Sequence, residues 1–342
     1  MKIVQPKRIL IVGLNWMGDL LLLTPSIRAI RKNYPHATIV CLVPPRGEAV
    51  LEDNPNLDRL IVYPESRGLS GWIGFWPLVF LLRSERFDAA FLFHPSGTRA
   101  MAAWLAGVKQ RIGFKTKKGN CWLTRAVEMP SKDSTHKAAV YLRLVEAAGL
   151  KTDGFSCDAG IRDADEQAVD RLYQQIGLRS DRPAVAIHPA ANWKLKRWPA
   201  ESFARLADRL AREKQAQIVF IGTKNELPLV EQVRSRMQHQ AFVAAGKTSF
   251  KELGALLKRM NLLITSDSGP MHLAAAVGTP LVGLFGPTLP SLSGPPSDPR
   301  FKTLHGSIGC PVPCYQLNCP ANLCMEQISP DQVFAEAEKW LK

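Results

Sequence analysis

The sequence predicts an α/β protein built from two doubly wound, Rossmann-like domains. Three observations lead there. Short apolar runs of strand length alternate with amphipathic runs of helix length along most of the chain, the pattern of a parallel sheet covered by helices on both faces. The series pauses once, in a polar and glycine-containing stretch from about 151 to 165, and then begins again. The length of 342 residues is enough for two domains, each with its own core.

In the first half, strands are expected at 8–12, 38–43, 59–63, 88–93 and 111–114. Helices are expected at 18–32, 47–52, up to about 86, at 98–105 and at 134–149, with a further one reaching about 177. In the second half, strands are expected at 184–188, 217–221, 242–244, 262–265 and 281–285. Helices are expected at 201–212, 226–237, 251–259 and 269–277. A long loop rich in Pro, Ser and Gly follows 286–287. The resulting division is 1–165, 166–330 and a closing helix at 331–342. Ligands of such sheets bind beyond the carboxyl ends of the strands, which places the expected site in a cleft that the two domains face.

The net charge of +14 points to an anionic partner; nucleic acid, an acidic membrane surface and a phosphorylated substrate all fit it. No zinc finger or RNP1-type sequence is present, so nucleic acid is not the expected partner. Met1 is followed by Lys-Ile-Val-Gln-Pro-Lys-Arg and then directly by a strand-like run, without the apolar core and cleavage site of a signal peptide. The longest apolar stretch, 69–82, is too short to span a bilayer and carries Gly74 and Pro77. It reads as a loop leading into a core helix, with a lipid-facing surface as the second reading. A cytoplasmic location, peripheral to a membrane, is the expectation.

Four of the seven cysteines, Cys310, Cys314, Cys319 and Cys324, fall within fifteen residues in a C-x3-C-x4-C-x4-C spacing. This is not a paired C-x2-C zinc pattern; structural zinc, an iron–sulfur cluster, disulfides and free thiols all fit it.

The stretch 262–276 has the most chemistry. An apolar strand-type run ends in Thr265-Ser266-Asp267-Ser268-Gly269-Pro270, and a helix-type run opens at once. Asp267 or Ser268 suits the cap, Pro270 the first turn, and Gly269 a close backbone approach to a ligand. Free N–H groups at such a helix start favour phosphate, and His272 lies one turn along. Lys194, Lys196 and Arg197 crowd the loop that leaves His188-Pro189-Ala190-Ala191-Asn192, a second place for phosphate contacts. Glu226, after the following strand, fits either a ribose-binding acid or a first-turn helix acid. Asp19 likewise fits either a helix-dipole acid or a general base. Asp163-Ala164-Asp165 is a literal D-x-D, but it opens a helix and suits capping better than metal binding. Gly13-x4-Gly18 lacks the middle glycine of a dinucleotide fingerprint, and no G-x-S-x-G elbow or H-E-x-x-H is present.

Taken together in order, four motifs carry a family likeness: Trp16-Met17-Gly18-Asp19, Lys196-Arg197-Trp198-Pro199, Asp267-Ser268-Gly269-Pro270-Met271-His272 and Leu284-Phe285-Gly286-Pro287-Thr288. Over nearly its whole length the chain resembles the ADP-heptose-using lipopolysaccharide heptosyltransferases, inverting glycosyltransferases of the GT-B fold, and among them the second-enzyme type. The resemblance implies a metal- and cofactor-independent heptosyl transfer from ADP-heptose to the acidic inner core on lipid A, at the inner face of the inner membrane. It implies Asp19 as the base and Asn192, Lys196, Glu226, Asp267, Ser268, Gly269 and His272 as donor-binding residues. His94, Ser96 and Arg99 are the expected acceptor contacts. A same-fold transferase with another nucleotide sugar or acceptor, or a nucleotide-sugar epimerase, is the alternative.

Overall fold

The structure, a computed structural model, describes residues 5–64, 69–131, 134–314, 316, 319 and 321–341. The chain divides into two compact units, Met1–Gly160 and Ile161–Lys342. The division falls five residues ahead of the expected 165/166 boundary, and the closing helix belongs to the second unit rather than standing as a segment of its own.

The first unit holds strands β1 (Arg8–Val12), β2 (Thr38–Val43), β3 (Arg59–Val62), β4 (Ala89–Leu92), β5 (Gln110–Phe114) and β6 (Arg125–Val127). Its helices are α1 (Met17–Asn33), α2 (Pro45–Leu51), α3 (Leu69–Ser84), α4 (Gly97–Leu105) and α5 (Lys137–Ala147). The sheet is parallel in the order β3-β2-β1-β4-β5-β6. Because β1 pairs with both β2 and β4, the winding reverses beside it, and the crevice at that reversal opens where β1 and β4 end. The central strands are buried on both faces, which explains why Ile9 to Val12 and Ala89 to Leu92 read as unbroken apolar runs.

The second unit begins with α6 (Asp163–Ile176) and continues with β7 (Ala184–His188), α7 (Ala200–Lys214), β8 (Gln217–Phe220), α8 (Leu227–Arg234), β9 (Ala241–Val243), α9 (Phe250–Lys258) and β10 (Leu262–Ser266). It closes with α10 (Gly269–Val277), β11 (Leu281–Phe285), α11 (Pro290–Ser293), β12 (Phe301–His305), α12 (Leu323–Glu326) and α13 (Pro330–Ala337). Its sheet runs β12-β11-β10-β7-β8-β9, the same winding as the first, with the reversal between β7 and β10. The core under it gathers Val185, Ile187, Phe203, Phe220, Ile264 and Val282.

Three expectations need correction. Residues 69–84 form one helix that runs through Gly74 and Pro77, not a loop followed by a helix. The edge strands β6 and β12 were not expected, because three residues and the mixed run Phe301-Lys302-Thr303-Leu304-His305 give no apolar periodicity; only pairing to a neighbour reveals them. The helix expected at 134–149 is confined to 137–147. The D-x-D reading holds: Asp165 accepts the Arg162 N–H at 3.0 Å and pairs with its guanidinium, closing the start of α6.

Among the described residues, no helix is long and apolar enough to cross a membrane. Among the described residues no disulfide joins Cys310, Cys314, Cys319 and Cys324, and no group of three metal-type side chains comes together.

Candidate active site

The first unit gathers polar side chains where β1 and β4 end. Asp19 occupies the first turn of α1. One of its carboxylate oxygens accepts a hydrogen bond from Lys137 Nζ at 2.8 Å, and Tyr141 donates to it as well. Lys137 and Tyr141 sit one turn apart on α5, so one helix face supplies both. Burial raises the Tyr141 hydroxyl well above its ordinary value, and the Asp19 charge and hydrogen bond push it the same way. The phenol therefore stays a donor. Asp19 keeps 17% of its side chain exposed, so it remains reachable.

The reversal point is bridged by Asn15, whose amide nitrogen lies 3.0 Å from His94 Nε2. The Arg99 guanidinium reaches the Gly13 carbonyl at 3.3 Å. Ser96 caps α4, accepting the Arg99 N–H at 3.3 Å. His94, Ser96 and Arg99 thus lie beside the loop that carries Asn15, with a small cavity of about 10 Å³ lined in part by His94 and Ser96. The Ser96 hydroxyl is engaged as a cap, which leaves His94 and Arg99 as the longer-reaching groups of the three.

In the second unit, His188 ends β7 and Thr265 stands opposite it in β10. His188 Nδ1 lies 3.1 Å from Ser268 Oγ and 3.4 Å from Thr265 Oγ1, and its Nε2 lies 3.5 Å from Glu226 Oε2. Ser268 is the N-cap residue of α10, yet its hydroxyl turns to His188 and Thr265 and does not cap the helix. A Cβ added to Gly269 would meet nothing within 4 Å, so the helix start faces open space.

Asp267 is 5% exposed and gathers three donors on one oxygen: Lys196 Nζ at 2.7 Å, Thr288 Oγ1 at 2.8 Å and Ser293 Oγ at 3.4 Å. Burial opposes its charge, but the Lys196 ammonium, His272 and Thr288 outweigh that and hold the carboxyl below its usual range. Its Oδ2 is committed to these neighbours, and the carboxylate thereby fixes Lys196 and the turn entering α10. His272 is buried one turn into the same helix.

The three cations after β7 divide their tasks. Lys196 goes to Asp267, Arg197 folds back onto the Ala191 carbonyl at 3.0 Å and 3.1 Å, and Lys194 is exposed. Trp198 locks the loop from below: its Nε1 donates to the Ile328 carbonyl at 2.9 Å, and its ring meets Phe203 edge-on at 4.9 Å. Asn192 stands exposed on the loop.

Glu226 closes its own turn. Its Oε2 accepts the Thr223 N–H at 2.7 Å and the Thr223 hydroxyl at 3.0 Å. Burial works against the charge, yet His188 and Thr223 together lower the carboxyl to about 2. Gly222, at a φ of 150°, precedes this turn, and a Cβ there would come within 3.0 Å of Glu226 Oε2. The capping reading of Glu226 is realised in this turn.

Sequence reasoning missed Lys137, Tyr141, Asn15 and the linking role of His188. A histidine ending a buried strand was a usable signal for the last; nothing in the local sequence marks Lys137 or Tyr141. A hollow of about 340 Å³ lies between α6 and the segment before α9, lined by Leu172, Lys247, Thr248 and Glu252 among others, and none of the expected site residues lines it.

Two doubly wound parallel sheets covered by helices, each with polar side chains gathered at its strand ends, have the architecture of the two-sheet GT-B class. The sequence model of glycosyltransferase family 9 (heptosyltransferase) matches residues 77–321, and the chain belongs to that family. It is 28% identical over 301 residues to lipooligosaccharide heptosyltransferase 2 of Haemophilus influenzae, covering 85% of this chain and 86% of that protein. Among solved structures, a family 9 glycosyltransferase from Veillonella parvula superposes with a TM-score of 0.87 at 28% identity, over 100% of this chain and 98% of that one. The ADP-heptose lipopolysaccharide heptosyltransferase II of E. coli gives a TM-score of 0.81 at 23% identity, over 98% of both chains, and so supports the fold.

Proposed function

We propose that this glycosyltransferase moves heptose from ADP-heptose to the inner core of a lipid A-linked lipopolysaccharide, with inversion at the anomeric carbon and no metal required. The observation that carries the donor assignment is the Lys196–Asp267 pair at the mouth of α10. A cation held rigidly beside a helix start suits a diphosphate leaving group, whose charge grows as the glycosidic bond to ADP breaks. Asp267 and Ser268 act by holding Lys196, His188 and the helix start in place. Gly269 and His272 complete the cradle, and Asn192 and Glu226 supply contacts from the adjoining loops. Glu226 meets the ribose hydroxyls by exchanging its Thr223 partners for them.

Asp19 acts as general base. It takes the proton from the acceptor hydroxyl as that oxygen attacks the anomeric carbon, on the face opposite ADP. Lys137 and Tyr141 orient its carboxylate. His94 and Arg99 contact the acidic acceptor, and Ser96 sets the helix that carries Arg99. The acceptor is anchored in lipid, so the enzyme works as a peripheral protein at the cytoplasmic face of the inner membrane.

The test is calorimetric titration with ADP, UDP and GDP in EDTA, followed by transfer from ADP-heptose to a heptose-deficient core acceptor. Selective ADP binding and product formation are expected. Preference for UDP or GDP would move the enzyme to another sugar, and failure to bind any nucleotide would sink the donor assignment.

A further inference from the structure

Helix α3 is apolar on both sides. Its inner side places Phe75, Leu78, Val79 and Leu82 in the core of the first unit. Its outer side carries Trp76, 49% exposed, and Phe80, 64% exposed, one turn apart with ring centroids 6.3 Å from each other. A surface helix ordinarily gives that side to charged residues. Here no Asp or Glu occurs anywhere in 69–84, and the exposed Arg83 follows Phe80 at the next turn of the same side. Helix α4, which packs against α3, exposes Trp104 at 44%, and that ring lies 4.6 Å from Trp122.

The sequence that carries these rings is basic. Between 69 and 127 the sequence has nine Lys and Arg against two acids, Glu85 and Asp88. Both acids are engaged: Glu85 pairs with Arg8 and Arg59, and Asp88 accepts the N–H groups of Lys7 and Arg8. Exposed aromatic rings with an exposed arginine on the same side, in a basic stretch whose two acids are both paired, match the headgroup region of an acidic bilayer, where indole rings settle at the interface and cations meet phosphate.

We propose that the outer side of α3, led by Trp76 and Phe80 and flanked by Arg83, docks the first unit onto an acidic phospholipid surface. This deepens the reading that the acceptor is lipid-borne: a docked enzyme meets its acceptor in the plane of the membrane rather than from solution. The rings enter the interface, Arg83 stays at the level of the phosphates, and the buried half of α3 keeps its place in the core.

The experiment is co-sedimentation of the full chain with vesicles of phosphatidylethanolamine and phosphatidylglycerol, compared with vesicles of phosphatidylcholine alone. Binding to the acidic vesicles is expected, falling about tenfold or more in the Trp76→Ser/Phe80→Ser variant. Unchanged circular dichroism and ADP affinity would show that this variant is folded. Equal binding by wild type and variant, or no binding by wild type, would overturn the proposal. So would a lipid-free dimer, seen by sedimentation velocity, that the double substitution dissociates, because the face would then be covered by a second copy. ADP titration of the same preparations keeps the two readings apart, since loss of ADP binding would sink the donor assignment and leave the docking result standing.

Discussion

The ammonium of Lys196 lies 2.7 Å from Oδ2 of Asp267, and that same oxygen accepts the hydroxyl of Thr288 at 2.8 Å. A carboxylate this buried depends on its donors, because the desolvation of its charge is offset by them and by the nearby His272. The pair therefore fixes where the Lys196 ammonium stands, and it makes that cation structurally costly to remove.

Lys196→Met should leave Asp267 charged and short of its strongest partner. We expect a loss of stability on the order of 3 kcal/mol, together with weakened ADP binding. Adding Asp267→Asn should restore most of the stability and none of the ADP affinity. Urea unfolding and calorimetry on the single and double variants separate the two effects. Full ADP affinity in Lys196→Met would remove this residue from the donor site.

Asp19→Asn keeps the shape of the side chain and removes its basicity. Transfer should fall by about 10²–10⁴-fold, the usual reach of a general base, while the ADP dissociation constant stays close to that of wild type. A parallel loss of both would mean that Asp19 supports the fold of the loop instead.

Tyr141→Phe deletes one donor to Asp19 and preserves the ring that meets Phe93 edge-on at 6.4 Å. Lys137→Met deletes the other donor, at a position that is 48% exposed. Each should lower kcat by about tenfold without altering the donor dissociation constant, as expected when a base loses orientation rather than identity. Steady-state kinetics at saturating donor would check it, and an unchanged kcat in both variants would show that neither orients the base.

Glu226 supplies a pH dependence with a definite sign. Its carboxyl is lowered from the ordinary 4.5 to about 2, so its contribution to stability is fully present above 4.5 and is lost as the pH falls toward 2. Glu226→Gln should be less stable than wild type at neutral pH, and the gap should close across that acid window. Chemical denaturation midpoints of both proteins from pH 7 to about pH 2 measure it. A gap that stays constant with pH would mean the charge of Glu226 is not what stabilises its turn.

Most of the architecture was legible because fully buried parallel strands cannot afford polar interruptions, so Arg8–Val12, Ala184–His188 and Leu262–Ser266 stand out as apolar runs with abrupt polar ends. Those ends are where a doubly wound sheet presents ligand-binding loops, and so Asp267, Ser268, Gly269 and the Lys196 loop could be singled out in advance. What could not be read were the partners. Lys137 meets Asp19 across 118 positions of sequence, and Lys196 meets Asp267 across 71. The edge strand β12 was equally hidden, since its half-exposed residues alternate too little to register.

The sequence by itself determined the two-unit α/β plan, the strand ends that carry the polar loops and the excess of positive charge, because local burial and helix capping leave their marks on neighbouring residues. Only the tertiary structure decided how those residues are used. It assigned Asp267 to hold Lys196, turned Ser268 toward His188, closed Glu226 on Thr223 and set Trp76 and Phe80 outward on α3. Each of those outcomes depends on which distant group offers a donor, an acceptor or a packing surface, and that is settled by the meeting of elements in space rather than by their order in the chain.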